Sequence, residues 1–182
     1  NNVILYSFVL WNYISKFTFQ KEYLGILLPN AVANIILFLG MHTRDRIPVM
    51  LNFSAGVKNI LNACFTTKIR YVFTSKVFIE KGKLENIVQA LKDNGIKVII
   101  LEDEAKKISL FDKLSAVLYS KFPTIAYRHT TKGQAKYDDV AAVLFTSGSE
   151  NAPKGVALSH INFNANKFQL ITSYNFLPQD KI

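Results

Sequence analysis

The chain has 182 residues, of which 49% are hydrophobic and 19% are charged. This composition supports a globular core and excludes an intrinsically disordered chain. Lysine and arginine total 22 against 13 aspartates and glutamates, a formal net charge of +9, which favours contact with phosphates, anionic lipid or an acidic protein without choosing among them. The single cysteine, Cys64, excludes an internal disulfide framework and a cysteine metal cluster, and it indicates a reducing compartment such as the cytoplasm.

The apolar segments near the start fit neither a signal peptide nor a membrane span. Residues 3–11 are apolar but short, lack a basic leader and are followed by polar residues, so we interpret them as packed structure. Pro29 and two asparagines interrupt the longer apolar run over residues 23–40, which a strand, a turn and a buried helix explain better. The first residue is Asn1 rather than methionine, so we expect a processed or trimmed piece of a longer protein.

Short β-branched runs alternate with segments of helical period, the pattern of a parallel sheet covered by helices. The pattern predicts five strands, at residues 24–28, 47–51, 71–74, 96–101 and 140–145. It predicts helices at residues 31–41, 57–68, 84–92 and 110–122, the first of them apolar on most sides and deeply buried. Residues 75–82 and 124–139 are predicted as loops. Four βα units in series favour an α/β fold with a doubly wound, mostly parallel sheet and helices on both faces.

Several single residues receive structural interpretations. Helical period places Cys64 in the core, and the carboxylates of residues 102–104 are predicted to lie in a solvated loop. Ser159 is predicted as the N-cap of a helix over residues 161–176, with His160 at its start. The three histidines lie far apart with no His-x-x-x-His pair, which argues against a zinc site.

The sharpest chemical signal directly follows the last predicted strand. Residues 146–155 read TSGSENAPKG, with three hydroxyls, two glycines and one lysine. Glycine lets backbone N–H groups approach an anion, hydroxyls donate hydrogen bonds and the ammonium offsets charge, so phosphate is the expected ligand. The spacing matches neither a Walker A loop nor Gly-x-Gly-x-x-Gly. A plain surface turn is the alternative, but the carboxyl end of a buried parallel strand is where open α/β sheets bind ligands.

The segment FTSGSENAPKGVALSH (residues 145–160) resembles the signature loop of the adenylate-forming, or AMP-binding, superfamily of acyl- and aryl-activating enzymes. Glu150 and the stretches LLPN (27–30), RIPVMLNFSAGVKNI (46–60) and FIEKGKL (78–84) resemble its acyl-[acyl-carrier-protein] synthetase branch. That branch is also known as the synthetase half of the 2-acylglycerophosphoethanolamine acyltransferase bifunctional protein. The resemblance begins near residue 23 and covers only part of the family's length. It implies that residues 1–182 are a partial N-terminal domain, without the rest of that domain or the lysine-bearing C-terminal domain.

The resemblance also implies a reaction and a set of binding residues. The family activates a carboxylate with ATP, here a fatty acid, to an acyl-adenylate, for transfer to acyl carrier protein in phospholipid and lysophospholipid acylation. Magnesium is implied as well, with its ligands outside this chain, and no catalytic residue is assigned. The implied partners are a fatty acid, acyl carrier protein and a downstream chain that completes the enzyme, in the cytoplasm or at the inner face of the cytoplasmic membrane, with no nucleic acid. The residues that fall on the phosphate-contacting pattern are Thr146, Ser147, Gly148, Ser149, Lys154 and Gly155.

Two positions depart from the family's pattern. Asn151 and Asp45 stand where glycine is usual, and asparagine is the best-tolerated substitute if residue 151 needs a positive φ. The family's later motifs for adenine, ribose and magnesium do not follow in this chain, so we expect it alone to make little or no acyl-adenylate. One alternative is an inactive remnant or split-enzyme fragment that keeps a polyphosphate loop. A weaker alternative is a basic module for nucleic acid or a membrane surface, since the lysines are dispersed over several predicted helices.

Overall fold

The computed structural model describes residues 2–133, 136–146 and 153–174. The strands are β1 (Tyr23–Ile26), β2 (Ile47–Met50), β3 (Tyr71–Thr74), β4 (Lys97–Ile100), β5 (Val140–Thr146) and β6 (Lys154–Ser159). The helices are α1 (Asn2–Ile14), α2 (Val32–Thr43), α3 (Val57–Thr66), α4 (Lys76–Gly82), α5 (Glu85–Asp93), α6 (Leu101–Lys106), α7 (Leu110–Lys121), α8 (Pro123–Thr130) and α9 (His160–Ser173).

The strands form one sheet in the order β4-β3-β1-β2-β5-β6. Each pairing among β1 to β5 is parallel, and β6 runs antiparallel to β5. The predicted doubly wound, mostly parallel sheet is therefore confirmed, with all five predicted strands present. β6 was not predicted: it forms a hairpin with β5 across residues 147–153.

Helices cover both faces of the central strands. Leu24 and Ile26 of β1 pack with Trp11 of α1 and with α2, while Leu27, which follows β1, packs with α3 and α5 on the other face. This alternation follows from the two-residue period of a strand. Cys64 of α3 is buried in the second cluster, as predicted, and its burial raises the pKa of the thiol to about 12.

The prediction for α2 was wrong in one respect. The helix buries one side through Leu37 and Met41, but Val32 and Ile35 are exposed. A helix that is apolar on most sides does not have to be covered on all of them, because most folded surfaces retain apolar atoms.

Of two segments that were predicted as loops, residues 75–82 are helical and residues 124–139 are helical only as far as Thr130. In residues 75–82, the hydroxyl of Ser75 accepts a hydrogen bond from the N–H of Phe78 (3.1 Å) and starts α4, which ends at Lys83 with φ 52°. The second segment starts inside α8, because that helix begins one residue earlier, at Pro123. A proline that stops one helix is also favoured as the first residue of the next.

The predicted solvated loop at residues 102–104 was also wrong. These residues form the first turn of α6, and Glu104 is buried. Its carboxylate accepts a hydrogen bond from Lys107 Nζ at 2.7 Å, so a local ion pair accompanies the burial of the charge.

The fourth predicted helix forms, but α7 packs on α1 rather than on the sheet. The side-chain amide of Asn12 donates to the backbone oxygen of Asp112 (3.0 Å) and to Ser115 Oγ (2.9 Å). Lys16 Nζ lies 2.8 Å from the Asp112 carboxylate. α7 therefore lies on the side of α1 that faces away from the sheet.

Asp45 adopts a backbone conformation that favours glycine. Its φ is +58°, in the left-handed region where residues other than glycine are uncommon. Its carboxylate lies 3.0 Å from Lys21 Nζ, which also lies 2.6 Å from Asp139. An aspartate thus occupies a left-handed position, and its side chain shares an ion pair that links the segments just before β1, β2 and β5.

The helices were also compared with the length and hydropathy that a membrane span needs. In the described parts of the chain, no helix meets both requirements.

Candidate active site

The β5–β6 hairpin fixes both ends of the predicted phosphate loop. Thr146 is the register partner of Lys154, and Phe145 is the partner of Gly155. The Thr146 hydroxyl lies 3.4 Å from the backbone oxygen of Lys154. Of the six predicted phosphate-binding residues, the structure brings these three, Thr146, Lys154 and Gly155, to one end of the hairpin. The others, Ser147, Gly148 and Ser149, lie outside the described residues, as does Asn151.

Gly155 allows the aromatic ring of Phe145 to lie across the hairpin. A β-carbon at position 155 would lie 3.1 Å from Phe145 Cε1 and 3.3 Å from Cζ, closer than ordinary van der Waals contact. Glycine therefore favours the close packing of this ring, and no positive φ is involved at this position.

A cavity of about 310 Å³ lies beside this end of the hairpin. Such a volume falls at the lower end of the range of ligand sites. Its walls come from the end of β2, the start of α3 and the end of β5, and its lining residues are Leu51, Asn52, Ser54, Ala55, Asn59, Ile60, Ala63, Phe145, Thr146 and Pro153. Phosphate, ribose and water are all compatible with this mixture of hydroxyl, amide and apolar groups.

The cavity lies where the strand order reverses. After β2 the chain crosses to β3 on the far side of β1, whereas after β5 it turns outward to β6. The loops that leave β2 and β5 therefore diverge and open a crevice at the carboxyl ends of the strands, the place where open α/β sheets bind ligands.

The residue types alone did not assign a binding role to the β2 side of this cavity. Asn52 Oδ1 accepts hydrogen bonds from the N–H (3.0 Å) and the hydroxyl (2.8 Å) of Ser54, and this turn leads into α3. The sequence did predict a polar turn after the second strand. Its contribution to the site follows only from the neighbouring positions of β2 and β5 in the sheet.

The described part of the site fits a polyphosphate better than it fits a metal. Thr146 offers a hydroxyl donor and Lys154 an exposed ammonium, which match phosphate oxygens. No carboxylate lines the cavity, and within residues 2–133, 136–146 and 153–174 no group of three or more His, Cys, Asp and Glu side chains is placed to hold a metal.

His160 lies far from the phosphate loop. Ser159 caps α9, as predicted, with its hydroxyl accepting from the N–H of Asn162 at 3.4 Å. β6 separates His160 from Lys154, a distance of about 20 Å at roughly 3.3 Å per residue. The sequence did not reveal this strand, which separates the helix start at His160 from the loop.

Comparison with known proteins agrees with this geometry. Residues 19–182 match the family model described as "AMP-binding enzyme". The chain belongs to the AMP-binding enzyme family. The match includes the β5–β6 hairpin and the turn after β2, so both walls of the cavity lie inside the family's domain.

Two of the curated relatives are carboxylate–CoA ligases by name. 4-Coumarate–CoA ligase 1 from Petroselinum crispum is 25% identical over 141 residues, which cover 78% of this chain and 24% of that ligase. Oxalate–CoA ligase from Saccharomyces cerevisiae is 24% identical over 178 residues, covering 90% of this chain and 32% of that ligase. The chain thus spans about a quarter of the length of the first relative.

Solved structures share the fold. o-Succinylbenzoate coenzyme A synthetase from Bacillus subtilis in complex with AMP superposes with a TM-score of 0.69 at 16% identity, over 98% of this chain and 40% of that one. Fatty acyl-adenylate ligase from L. pneumophila, in complex with acyl adenylate and pyrophosphate, gives 0.67 at 19% identity, over 96% of this chain and 27% of that one. The mixed α/β fold is therefore that of adenylate-forming enzymes.

Proposed function

We propose that this chain supplies the polyphosphate-binding part of an enzyme that activates a fatty acid with ATP. In that reaction a carboxylate oxygen attacks the α-phosphorus, the bond to the bridging oxygen breaks, and pyrophosphate leaves as the acyl-adenylate forms. The observation that carries the proposal is the pairing of Thr146, which lines the cavity between β2 and β5, with Lys154 on β6.

The roles of the loop residues follow from charge and position. The Lys154 ammonium offsets the negative charge of the β- and γ-phosphates. The Thr146 hydroxyl, which donates to the backbone oxygen of Lys154 in the structure, exchanges that hydrogen bond for one to a phosphate oxygen. Ser147, Gly148 and Ser149, which lie outside the described residues, are assigned to the same phosphate group by the resemblance alone. Such catalysis depends mainly on positioning and charge stabilisation, so no residue here has to exchange a proton.

The choice of substrate and acceptor is the finer part of the proposal. Resemblance of residues 27–30, 46–60 and 78–84 to acyl-[acyl-carrier-protein] synthetases supports a fatty acid, with acyl carrier protein as acceptor, in the cytoplasm or at the inner face of the cytoplasmic membrane. The two curated relatives described above are CoA ligases by name, which supports only the coarser class of acyl- and aryl-activating ligases.

We propose further that the complete reaction needs additional polypeptide. Residues 1–182 correspond to a partial N-terminal domain, spanning about a quarter of the first curated relative. Adenine, ribose and magnesium contacts are then supplied by segments that correspond to the remainder of that relative.

ATP–pyrophosphate exchange tests the proposal. We expect little exchange with residues 1–182 alone, and fatty-acid-dependent exchange when the downstream polypeptide is present, with a smaller response to 4-coumarate. Acyl transfer is then measured with holo acyl carrier protein and with coenzyme A in parallel. Strong exchange by the 182 residues alone, or exchange driven by 4-coumarate and not by fatty acids, contradicts the proposal. No exchange with the completed chain identifies an inactive remnant.

A further inference from the structure

The outer side of α7 is an exposed apolar stripe. The helix turns Asp112 and Ala116 inward against α1, where they are buried. On the opposite side, four apolar side chains, each three or four residues from another of the four, are largely exposed. They are Leu110 (72%), Phe111 (78%), Leu114 (62%) and Leu118 (60%). Spacing of three and four residues places them on one face of the helix.

The stripe continues onto α8. Phe122, between the two helices, is 56% exposed, and Ile125 on α8 is 67% exposed. The two helices enclose an apolar groove of about 420 Å³, lined by Leu118, Tyr119, Phe122, Ile125, Ala126 and His129. We call the outer side chains of residues 110–129, with this groove, the α7–α8 surface.

The charges around the α7–α8 surface have one sign. Lys113, Lys121 and Arg128 are exposed and have no ion pair within the described ranges. The only acidic residue in positions 110–130 is Asp112, which is buried and paired with Lys16 at 2.8 Å. Lys121 follows Leu118 by three positions and so lies within the apolar stripe, where its long side chain can carry the ammonium outward.

We propose that the α7–α8 surface binds an anionic lipid bilayer. Leucine and phenylalanine on one face, with lysine and arginine beside them and no accessible carboxylate, are the features of helices that lie in a membrane interface. The apolar side chains enter the boundary between headgroups and acyl chains, and the cations face the lipid phosphates. This docking does not depend on the phosphate loop, so either proposal can fail without the other.

Cosedimentation with phospholipid vesicles tests the docking. The chain of residues 1–182 is mixed with vesicles of phosphatidylcholine and phosphatidylglycerol in equal parts, or of phosphatidylcholine alone. We expect binding to the anionic vesicles that weakens as salt is added. The double variant Lys113→Gln/Lys121→Gln lowers the partition coefficient about 25-fold, at about fivefold for each lysine near the surface. Phe111→Ser/Leu118→Ser also lowers it by at least tenfold, by about 0.8 kcal/mol for each CH₂ no longer buried.

Control variants separate docking from net charge and from unfolding. Lys92→Gln removes an exposed charge from α5, and Phe65→Ser removes a 54% exposed ring from α3. Both are expected to bind anionic vesicles as the original chain does. Circular dichroism and urea unfolding confirm that every variant compared is folded.

Four results obtained with residues 1–182 would overturn the docking proposal. They are an absence of vesicle binding, equal binding to both kinds of vesicle, equal losses in the surface and control variants, and a dimer in size-exclusion chromatography that the surface variants dissociate. The last result assigns the α7–α8 surface to a second copy of the chain. The assay is repeated on a longer polypeptide that contains residues 1–182, where loss of binding identifies an internal interface and also overturns the proposal.

Discussion

The imidazole rings of His42 and His160 lie 5.5 Å apart and join the end of α2 to the start of α9. The ring of Phe38 packs against His42 at 4.7 Å. Burial, together with the nearby His160 imidazole, lowers the pKa of His42 from 6.5 to about 4. Burial also lowers the pKa of His160. The contact therefore favours the neutral form of both rings, because protonation would place positive charge in a partly apolar site.

This contact predicts a pH dependence of folding stability. Between pH 6.5 and about 4 the unfolded chain binds more protons at His42 than the folded chain does, so the free energy of unfolding falls as the pH falls. The largest contribution of His42 is about 3 kcal/mol. Urea unfolding at a series of pH values measures it. His42→Phe is expected to flatten the curve in this range while His129→Gln, at an exposed position, leaves it unchanged; equal slopes in the original chain and in His42→Phe contradict the assignment.

Gly40 predicts an unusually costly glycine-to-alanine change. A β-carbon there would lie 1.5 Å from Trp11 Cδ1, and the fully buried indole donates a hydrogen bond from Nε1 to the backbone oxygen of Leu37 at 3.1 Å. An alanine inside a helix normally stabilises it by up to about 1 kcal/mol. Here we expect Gly40→Ala to destabilise the fold by about 3 kcal/mol through overpacking.

Urea unfolding followed by circular dichroism measures the effect of Gly40→Ala. Trp11→Phe in the same chain shortens the ring and should recover part of the loss, which a double-mutant cycle reports as a coupling free energy. Additive effects of the two substitutions would show that the ring and the β-carbon do not meet.

Gly155 predicts a link between packing and ligand affinity. An alanine there pushes on the Phe145 ring, which also lines the cavity. We expect Gly155→Ala to cost about 1 kcal/mol of stability and to lower the affinity for tripolyphosphate severalfold. Val156→Ala, at the neighbouring position of β6, is the control and should leave the affinity unchanged. If Gly155→Ala binds tripolyphosphate normally, the close approach of Phe145 has no part in shaping the site.

Most of the sheet could be predicted from sequence because its strands are local apolar runs. Residues 140–145 are continuously apolar, and Ala141, Ala142 and Val143 are indeed buried. β6 escaped prediction because it begins with Lys154 and Gly155 and is largely exposed, so it lacks the continuous apolar run of the buried strands. Without β6 the sequence did not show that the chain reverses direction at the hairpin and carries His160 to the opposite end of the strand.

The phosphate loop was predictable only in part. Thr146, Lys154 and Gly155 were assigned from their residue types and order, and the hairpin brings them to one end. The contribution of Asn52 and Asn59 to the cavity depends on β2 lying beside β5. That neighbour relation arises because the chain crosses the sheet after β4, and local sequence carries no record of such a crossing.

The most direct test of the account is the affinity of residues 1–182 for tripolyphosphate, measured by isothermal titration calorimetry on the original chain and on Lys154→Ala. Lys167→Ala removes an exposed charge from α9 and serves as the control for net charge. A charge-assisted hydrogen bond contributes about 1.5–3 kcal/mol. We expect Lys154→Ala to weaken tripolyphosphate binding by about tenfold or more, and Lys167→Ala to leave it unchanged. Equal affinities for all three chains would contradict the phosphate-binding role of the hairpin.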